Sequence, residues 1–338
     1  MKEIELPFVT VIVPVYNEEN TIEVCIESLL SIDYPFYEVI VVDDGSTDTT
    51  AALIQKYPVK YIKIENSGPS KARNVGVENA KGSIVAFIDG DCVVEKTWLH
   101  ELIKPYFFSE TVASVGGVQL SKENASRIQN GIGRVFKTRI GSAGATYCKT
   151  TQEREKIEEM DHNPSCNTSY KKDIIIAAGF YDEDLWPIED VELDYRIRSL
   201  GYKIVNTPKA IVWHRRPSSI KSFFRMIKRY ATARSILGKK NRKLTSTIHY
   251  LPSIALVAFP FILLSAGVYP AVRMPFLYLL TGYALVILSN GLFCAIKDKK
   301  PSYSLLVPLL IFIIHFGWAI GFLEGFFARR ATFRGVKN

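Results

Sequence analysis

Ser83-Ile-Val-Ala-Phe-Ile-Asp89-Gly90-Asp91 runs an apolar segment of β-branched and aromatic residues straight into two carboxylates on a tight turn. Such a segment reads as a buried strand whose C-terminal end sits at a fixed point on a sheet edge. Gly90 lets the chain turn there so that both carboxylates face one ion. Hard cations such as Mg²⁺ and Mn²⁺ prefer carboxylate oxygen and often share it with substrate phosphates, so a nucleoside diphosphate is a natural second partner. Turns also favour Asp and Gly for their own sake, and this stretch by itself does not separate the two readings.

Outward from that strand, apolar runs alternate with helical patterns: Val9–Val15, Thr21–Leu30, Val39–Asp43, Thr49–Lys56, Lys60–Ile64, Lys71–Ala80 and Ser83–Asp89. The rhythm predicts an α/β fold of βαβ units with a mostly parallel sheet. Ligands of such sheets bind outside the carboxyl ends of the strands. Three ends fall there: Tyr16-Asn17-Glu18, Asp43 to Asp48, and Asp89-Gly90-Asp91. Residues 121–161 are polar and poorly periodic, and are expected to form loops and helices shaping the second half of a cleft.

Charge divides the 338 residues unevenly. Met1 to Ser219 holds 25 Lys and Arg against 32 Asp and Glu, a net of −7; the rest holds 17 against 2, a net of +15. The basic third is also the most apolar, which favours an anionic lipid surface over nucleic acid as partner. The five cysteines form no Cys-x-x-Cys pair, so a disulfide framework is not expected. The acidic, mixed N-terminus carries no expected signal peptide.

Beyond Ser219, Ile220, Phe223, Phe224, Ile227 and Ala231 fall at helical spacing opposite Lys221, Arg225, Lys228 and Arg229. This predicts a basic amphipathic interface helix within residues 220–247. Three apolar segments follow in residues 248–328, each close to the ~20 residues a bilayer requires. Residues 329–338 form a basic tail, and residues 1–219 a soluble α/β domain. The Lys and Arg clusters put the soluble domain on the cytoplasmic side of a multi-pass cell-membrane protein. Three full spans leave Arg329, Arg330, Arg334 and Lys337 outside, against the positive-inside rule; either the tail is tolerated there or one segment is re-entrant. Glu324 is expected near the interface within reach of Arg329, and His315 beside a partner in the helix bundle.

In order along the chain stand Pro14-Val-Tyr16-Asn17-Glu18, Asp43-Asp44-Gly45-Ser46-Thr47-Asp48, Ser70-Lys71-Ala72-Arg73-Asn74, Asp89-Gly90-Asp91, Glu189-Asp190 and Trp213-His214. The ordered set, spanning Pro7 to Arg216, resembles glycosyltransferase family 2 with its GT-A nucleotide-diphospho-sugar transferase fold. The basic helix and apolar C-terminal helices are most similar to membrane-attached transferases of polysaccharide and lipid-linked oligosaccharide assembly, including succinoglycan-type enzymes. The resemblance implies a nucleotide-sugar site made by Pro14, Tyr16, Asn17, Glu18, Asp44, Lys71, Arg73, Asp89 and Gly90, with Asp44 on the base. It implies Asp89, Asp91 and His214 as ligands of Mn²⁺ or Mg²⁺, Asp190 as catalytic base of a catalytic domain spanning residues 1–219, and Glu189 as helping to orient the acceptor.

His162-Asn-Pro-Ser-Cys-Asn167-Thr-Ser-Tyr170-Lys171-Lys172 resembles the family's acceptor-side segment without its usual glycine, implying acceptor contacts from Asn167, Tyr170 and Lys171. The Gln-x-x-Arg-Trp of processive synthases is missing, which favours transfer of one sugar. The expected activity is therefore an inverting, metal-dependent transfer from a UDP- or GDP-sugar to a lipid-linked acceptor of polyprenyl phosphate or diphosphate type. Rival readings are a sugar synthase acting directly on a lipid phosphate, a non-catalytic membrane scaffold and a transporter. Three spans and no internal repeat argue against the last.

Overall fold

The computed structural model of the chain describes residues 5–122, 124–142 and 156–328. In order the elements are β1 (Val9–Val15), α1 (Ile22–Leu30), β2 (Tyr37–Asp43), α2 (Thr50–Ile54), β3 (Lys60–Lys63), α3 (Pro69–Asn79), β4 (Ile84–Phe87) and β5 (Cys92–Val94). Next come α4 (Trp98–Ile103), β6 (Val112–Ser121), α5 (Arg127–Phe136), α6 (Arg139–Ser142), β7 (Glu158–Glu159), β8 (Thr168–Lys171), α7 (Lys172–Ala177), α8 (Glu189–Ser199) and β9 (Lys203–His214). Four helices close the described chain: α9 (Ile220–Lys240), α10 (Thr247–Val268), α11 (Pro270–Lys297) and α12 (Tyr303–Phe327).

Residues 5–122 and 156–215 form one compact unit, and residues 124–142 and 216–328 a second. The first is built on one sheet in the order β3-β2-β1-β4-β8-β6-β9-β5, with β7 against β9. Its β3-β2-β1-β4 half is parallel, as the βαβ rhythm requires. The other half is mixed: β8 runs antiparallel to β4 and β6, and β5 antiparallel to β9. β6 and β9 run parallel within this half.

Close approaches fix the packing. A Cβ on Gly76 of α3 would lie 2.3 Å from Ile12 Cγ2, so the glycine lets α3 settle onto β1. Between β6 and β9 a Cβ on Gly117 would lie 2.1 Å from the Ala210 carbonyl oxygen, where the β6–β9 register shifts. Trp98, Phe87 and Tyr170 are the largest wholly buried side chains of this unit.

The second unit is organised around α12. Gly317, Gly321 and Gly325 face α9: a Cβ on Gly321 would lie 2.1 Å from the Lys228 carbonyl oxygen, and one on Gly325 2.4 Å from that of Thr232. Small residues at this spacing let two helix backbones approach closely. Phe223, Ile227 and Ala231, expected to face lipid, are covered within this unit. Residues 124–142 pack with these helices: Gly131 of α5 sits against Leu306 and Leu310, and Arg134 pairs with Asp298 at 2.7 Å. Glu324 pairs with Lys228 at 2.6 Å; Arg329 lies outside the described residues, as does the whole basic tail. His315 Nδ1 is 2.9 Å from the Tyr283 hydroxyl, the bundle partner expected for it.

Candidate active site

The carboxyl ends of β1, β2 and β4 lie side by side, and their loops are knitted together. Asn17, at φ 54°, takes the Thr47 amide on its side-chain oxygen at 2.8 Å, and its own amide donates to Ser46 Oγ at 3.0 Å. The Glu18 amide donates to Thr50 Oγ1 at 2.8 Å. Asp43 is buried and accepts from the Ser46 amide and the Tyr61 hydroxyl. Asp44 is 4% exposed, with one carboxylate oxygen on the Ser67 amide at 2.7 Å and the other on the Gly68 amide at 2.8 Å. Burial raises its pKa while those amides lower it. Asp44, expected on the nucleotide base, therefore clamps the loop before α3. Pro14, inside β1, is likewise buried.

Asp89 and Asp91 follow β4. Gly90 between them does not adopt the left-handed conformation; its need is space, since a Cβ would lie 2.8 Å from Val15 Cγ1. β5 then pairs antiparallel with β9, with Cys92 opposite His214. That register brings the imidazole from far along the chain beside the acidic turn. His214 Nε2 is 3.4 Å from Asp91 Oδ1. Ligand atoms of Asp89, Cys166 and His214 lie within 4.8 Å of one another, as do those of Asp91, Cys92 and His214. His214 Nδ1 is buried without a hydrogen-bond partner among the described residues.

Each group is one carboxylate, one thiol and the same imidazole, and the oxygen and nitrogen ligands that Asp89, Asp91 and His214 offer suit a divalent cation of the Mn²⁺ kind. The thiols Cys92 and Cys166, which sequence reasoning passed over, are buried beneath the cluster; burial holds the Cys92 thiol well above its ordinary pKa, and it donates to Asp91. Glu18 completes the acidic rim: burial raises its pKa, and the charges of Asp91 and Asp89 raise it further. Arg215, exposed and next to His214, opposes that shift and is a second residue missed in the sequence.

Arg73, expected in the nucleotide-sugar site, is 4% exposed and bound on both arms. Its Nη2 lies 2.9 Å from Asp89 Oδ1 and its Nη1 2.7 Å from Glu189 Oε1, with the guanidinium over the Tyr181 ring. Burial alone would lower its pKa, yet Asp89 and Glu189 carry it above the ordinary value. Lys71 pairs with Glu183 at 3.2 Å in a partly exposed ion pair, which leaves its amine free to exchange partners. Glu189 opens α8, and burial pushes its carboxyl up to about 7 against the pull of Arg73. Asp190, one residue on, is half-buried and therefore the more accessible of the two.

The residues expected to meet the acceptor are tied into the fold. Asn167 is wholly buried: its amide donates to the carbonyls of Val118 and Ala210, each at 3.0 Å, and its oxygen accepts from Trp98 Nε1 at 2.8 Å. Tyr170 is wholly buried against Phe87 and Tyr181. Lys171 Nζ donates to the Glu110 carbonyl at 2.8 Å. All three staple the mixed half of the sheet, because β8 runs through its centre.

In fold the chain is a GT-A glycosyltransferase. The mannosyltransferase PcManGT of Pyrobaculum calidifontis, solved with GDP-Man and Mn²⁺, is similar over 91% of this chain and 88% of its own, at 20% identity and a TM-score of 0.62. The chain belongs to glycosyl transferase family 2, whose pattern matches residues 10–178. It is 30% identical over 219 residues to glycosyltransferase AglE of Haloferax volcanii, covering 62% of this chain and 67% of that protein. It is 25% identical over 344 residues to a Methanococcus voltae enzyme named dolichyl N-acetyl-alpha-D-glucosaminyl phosphate 3-beta-D-2,3-diacetamido-2,3-dideoxy-beta-D-glucuronosyltransferase, covering 97% of this chain and 99% of that protein.

Proposed function

We propose that this glycosyltransferase is inverting and metal-dependent, and that it moves one sugar from a UDP- or GDP-sugar to a lipid-linked acceptor of polyprenyl phosphate or diphosphate type. It works at the cytoplasmic face of the cell membrane. The observation that carries the reading is the β5–β9 register, which sets His214 against the Asp89-Gly90-Asp91 turn. The full-length likeness to a transferase named for a dolichyl-linked acceptor supports the acceptor class.

Asp89, Asp91 and His214 would hold the cation, whose chemistry when bound is to neutralise charge on the leaving diphosphate. Arg215 and Lys71 supply further positive charge to that diphosphate. Tyr16, Asn17 and Glu18 line the donor side, with Asp44 holding the neighbouring loop. Displacement at the sugar carbon requires a base on the face opposite the leaving group. Asp190 takes the acceptor hydroxyl proton, while Glu189, held by Arg73, fixes the start of α8. A lipid phosphate acceptor is already ionised and needs no such base.

The test is sugar transfer from radiolabelled UDP- and GDP-sugars by membranes carrying the full chain. Asp91→Ala is expected to abolish transfer, and Asp190→Ala to lower it by roughly 100-fold or more for a hydroxyl acceptor. Undiminished transfer in both variants would end the proposal.

A further inference from the structure

We infer that the chain crosses the bilayer twice, through α10 and α11, and that α12 lies along the membrane surface with both ends on the side of α9. By length and composition α10, α11 and α12 could each cross, but their surroundings differ. In α10 and α11 only 11% and 17% of the apolar window is buried within the protein, against 56% in α12.

The helices that bury α12 carry many basic residues. α9 runs parallel to its C-terminal half, with Phe224 at Gly317, Lys228 at Gly321 and Thr232 at Gly325. This same helix carries Lys221, Arg225, Lys228, Arg229, Arg234, Lys239 and Lys240. Such a helix is costly to place in hydrocarbon, so the part of α12 welded to it sits no deeper than it does. The N-terminal half of α12 is covered by α5, which holds Arg127 and Arg134.

Contacts with the α10–α11 hairpin give the same picture. Those of α10 fall in its first two turns: Ser253 Oγ on the Ala319 carbonyl, Tyr250 on Phe322 and His249 on Trp318. Those of α11 fall at its midpoint, Tyr283, and toward its end, at Gly291. Residues 254–282 continue past these contacts, with Phe259 against Phe276 and most of their apolar side chains exposed. The hairpin is the spanning element, and α12 crosses its base.

Charge marks that base on both sides. Arg127, Lys299 and Lys300, with Ser302 and Tyr303, line a cavity of about 450 Å³ at the start of α12. At its other end Lys239 Nζ donates to the Ala328 carbonyl at 3.1 Å. Between residues 254 and 296 the sequence has a single charged residue, Arg273, near the hairpin tip. Cations at both ends of α12 put both ends on the cytoplasmic side, which also brings the basic tail into line with the positive-inside rule. The occupant of the exposed face of α12, formed by Leu305, Leu309, Phe312, Phe316 and Phe327, is then the acyl boundary of the lipid.

Full-length protein carrying Tyr269→Cys, Ser302→Cys or Ala328→Cys is to be labelled with a membrane-impermeant maleimide in sealed right-side-out and inverted vesicles. The parent chain gives the background from its native cysteines. Two crossings require S302C and A328C to react from one side and Y269C from the other. Reaction of A328C from the side of Y269C would overturn the inference. A nitroxide at Phe316 is expected within about 10 Å of the lipid phosphates, and one at Val257 near the bilayer centre. Equal depths would overturn it independently of the labelling.

Discussion

Arg73 joins Asp89 to Glu189, with one arm of a single guanidinium on each carboxylate at 2.9 and 2.7 Å. The acidic turn after β4 and the first residue of α8 are thereby held as one piece. Removing one member of a buried ion pair strands the others, at a cost of about 3–5 kcal/mol. Arg73→Gln is expected to lower the melting temperature in detergent and to reduce kcat more than donor KM. A rise in donor KM at unchanged stability would instead make Arg73 a phosphate ligand.

Asn167 separates structure from recognition in the same way. Its loss leaves Trp98 Nε1 and two carbonyls unpaired in the interior, each costing about 1–3 kcal/mol. Asn167→Ala should therefore melt well below the parent while acceptor KM stays unchanged below the melting range. A selective rise in acceptor KM would return Asn167 to the acceptor site.

The parallel half of the fold was legible because strands such as Val9–Val15 announce themselves by unbroken apolar runs bounded by turn residues. The Asp89-Gly90-Asp91 turn was legible for the same reason. Pairing across the mixed half was not: nothing local to Ala210–His214 states that it will lie antiparallel to Cys92–Val94. Its place beside Asp91 came from family resemblance and was then found in the strand register. The structural ties of Asn167 and Arg73 were not legible because a polar side chain in a motif looks the same whether it meets a ligand or a buried partner in the fold. The apolar face of α9 was visible as a stripe, but the glycines of α12 that cover it lie some ninety residues further on.

Asp194 gives a pH signature. It is wholly buried on α8, accepts from the Asn163 amide at 2.7 Å, and burial pushes its carboxyl up to about 8. The folded form thus binds the proton more tightly than the unfolded form. The favourable contribution is complete below about pH 4 and is lost as pH rises toward 8. Asp194→Asn should flatten this decline and raise the melting temperature at pH 9 by about 2–6 °C relative to the parent. Parallel melting curves for the two proteins from pH 5 to 9 would show that the carboxyl stays ionised.

Gly321→Leu tests the packing of α9 on α12. A Cβ there meets the Lys228 backbone, which cannot yield as a side chain could. Overpacking of this kind costs about 1–3 kcal/mol or more. The variant is expected to lose thermal stability, whereas Gly282→Leu, with nothing within 4 Å of its added Cβ, is expected to be neutral. Equal melting of the two would contradict the close backbone contact.

Arg215 and Lys71 differ in their ties, since Lys71 is paired with Glu183 while Arg215 stands exposed near Glu18. Arg215→Ala is expected to raise donor KM about tenfold, one charge-assisted contact being worth roughly 1.5–3 kcal/mol. Lys71→Ala should do less. The reverse order in steady-state kinetics would move the diphosphate toward α3.

Titration of Mn²⁺ into the full-length protein with UDP or GDP present, followed by the electron paramagnetic resonance of the free ion, tests the meeting of Asp89, Asp91 and His214 most directly. One tight site is predicted in the parent with at least one of the two nucleotides, weakened about 10- to 100-fold or more in both Asp91→Ala and His214→Ala. Unchanged Mn²⁺ affinity in both variants would contradict the account.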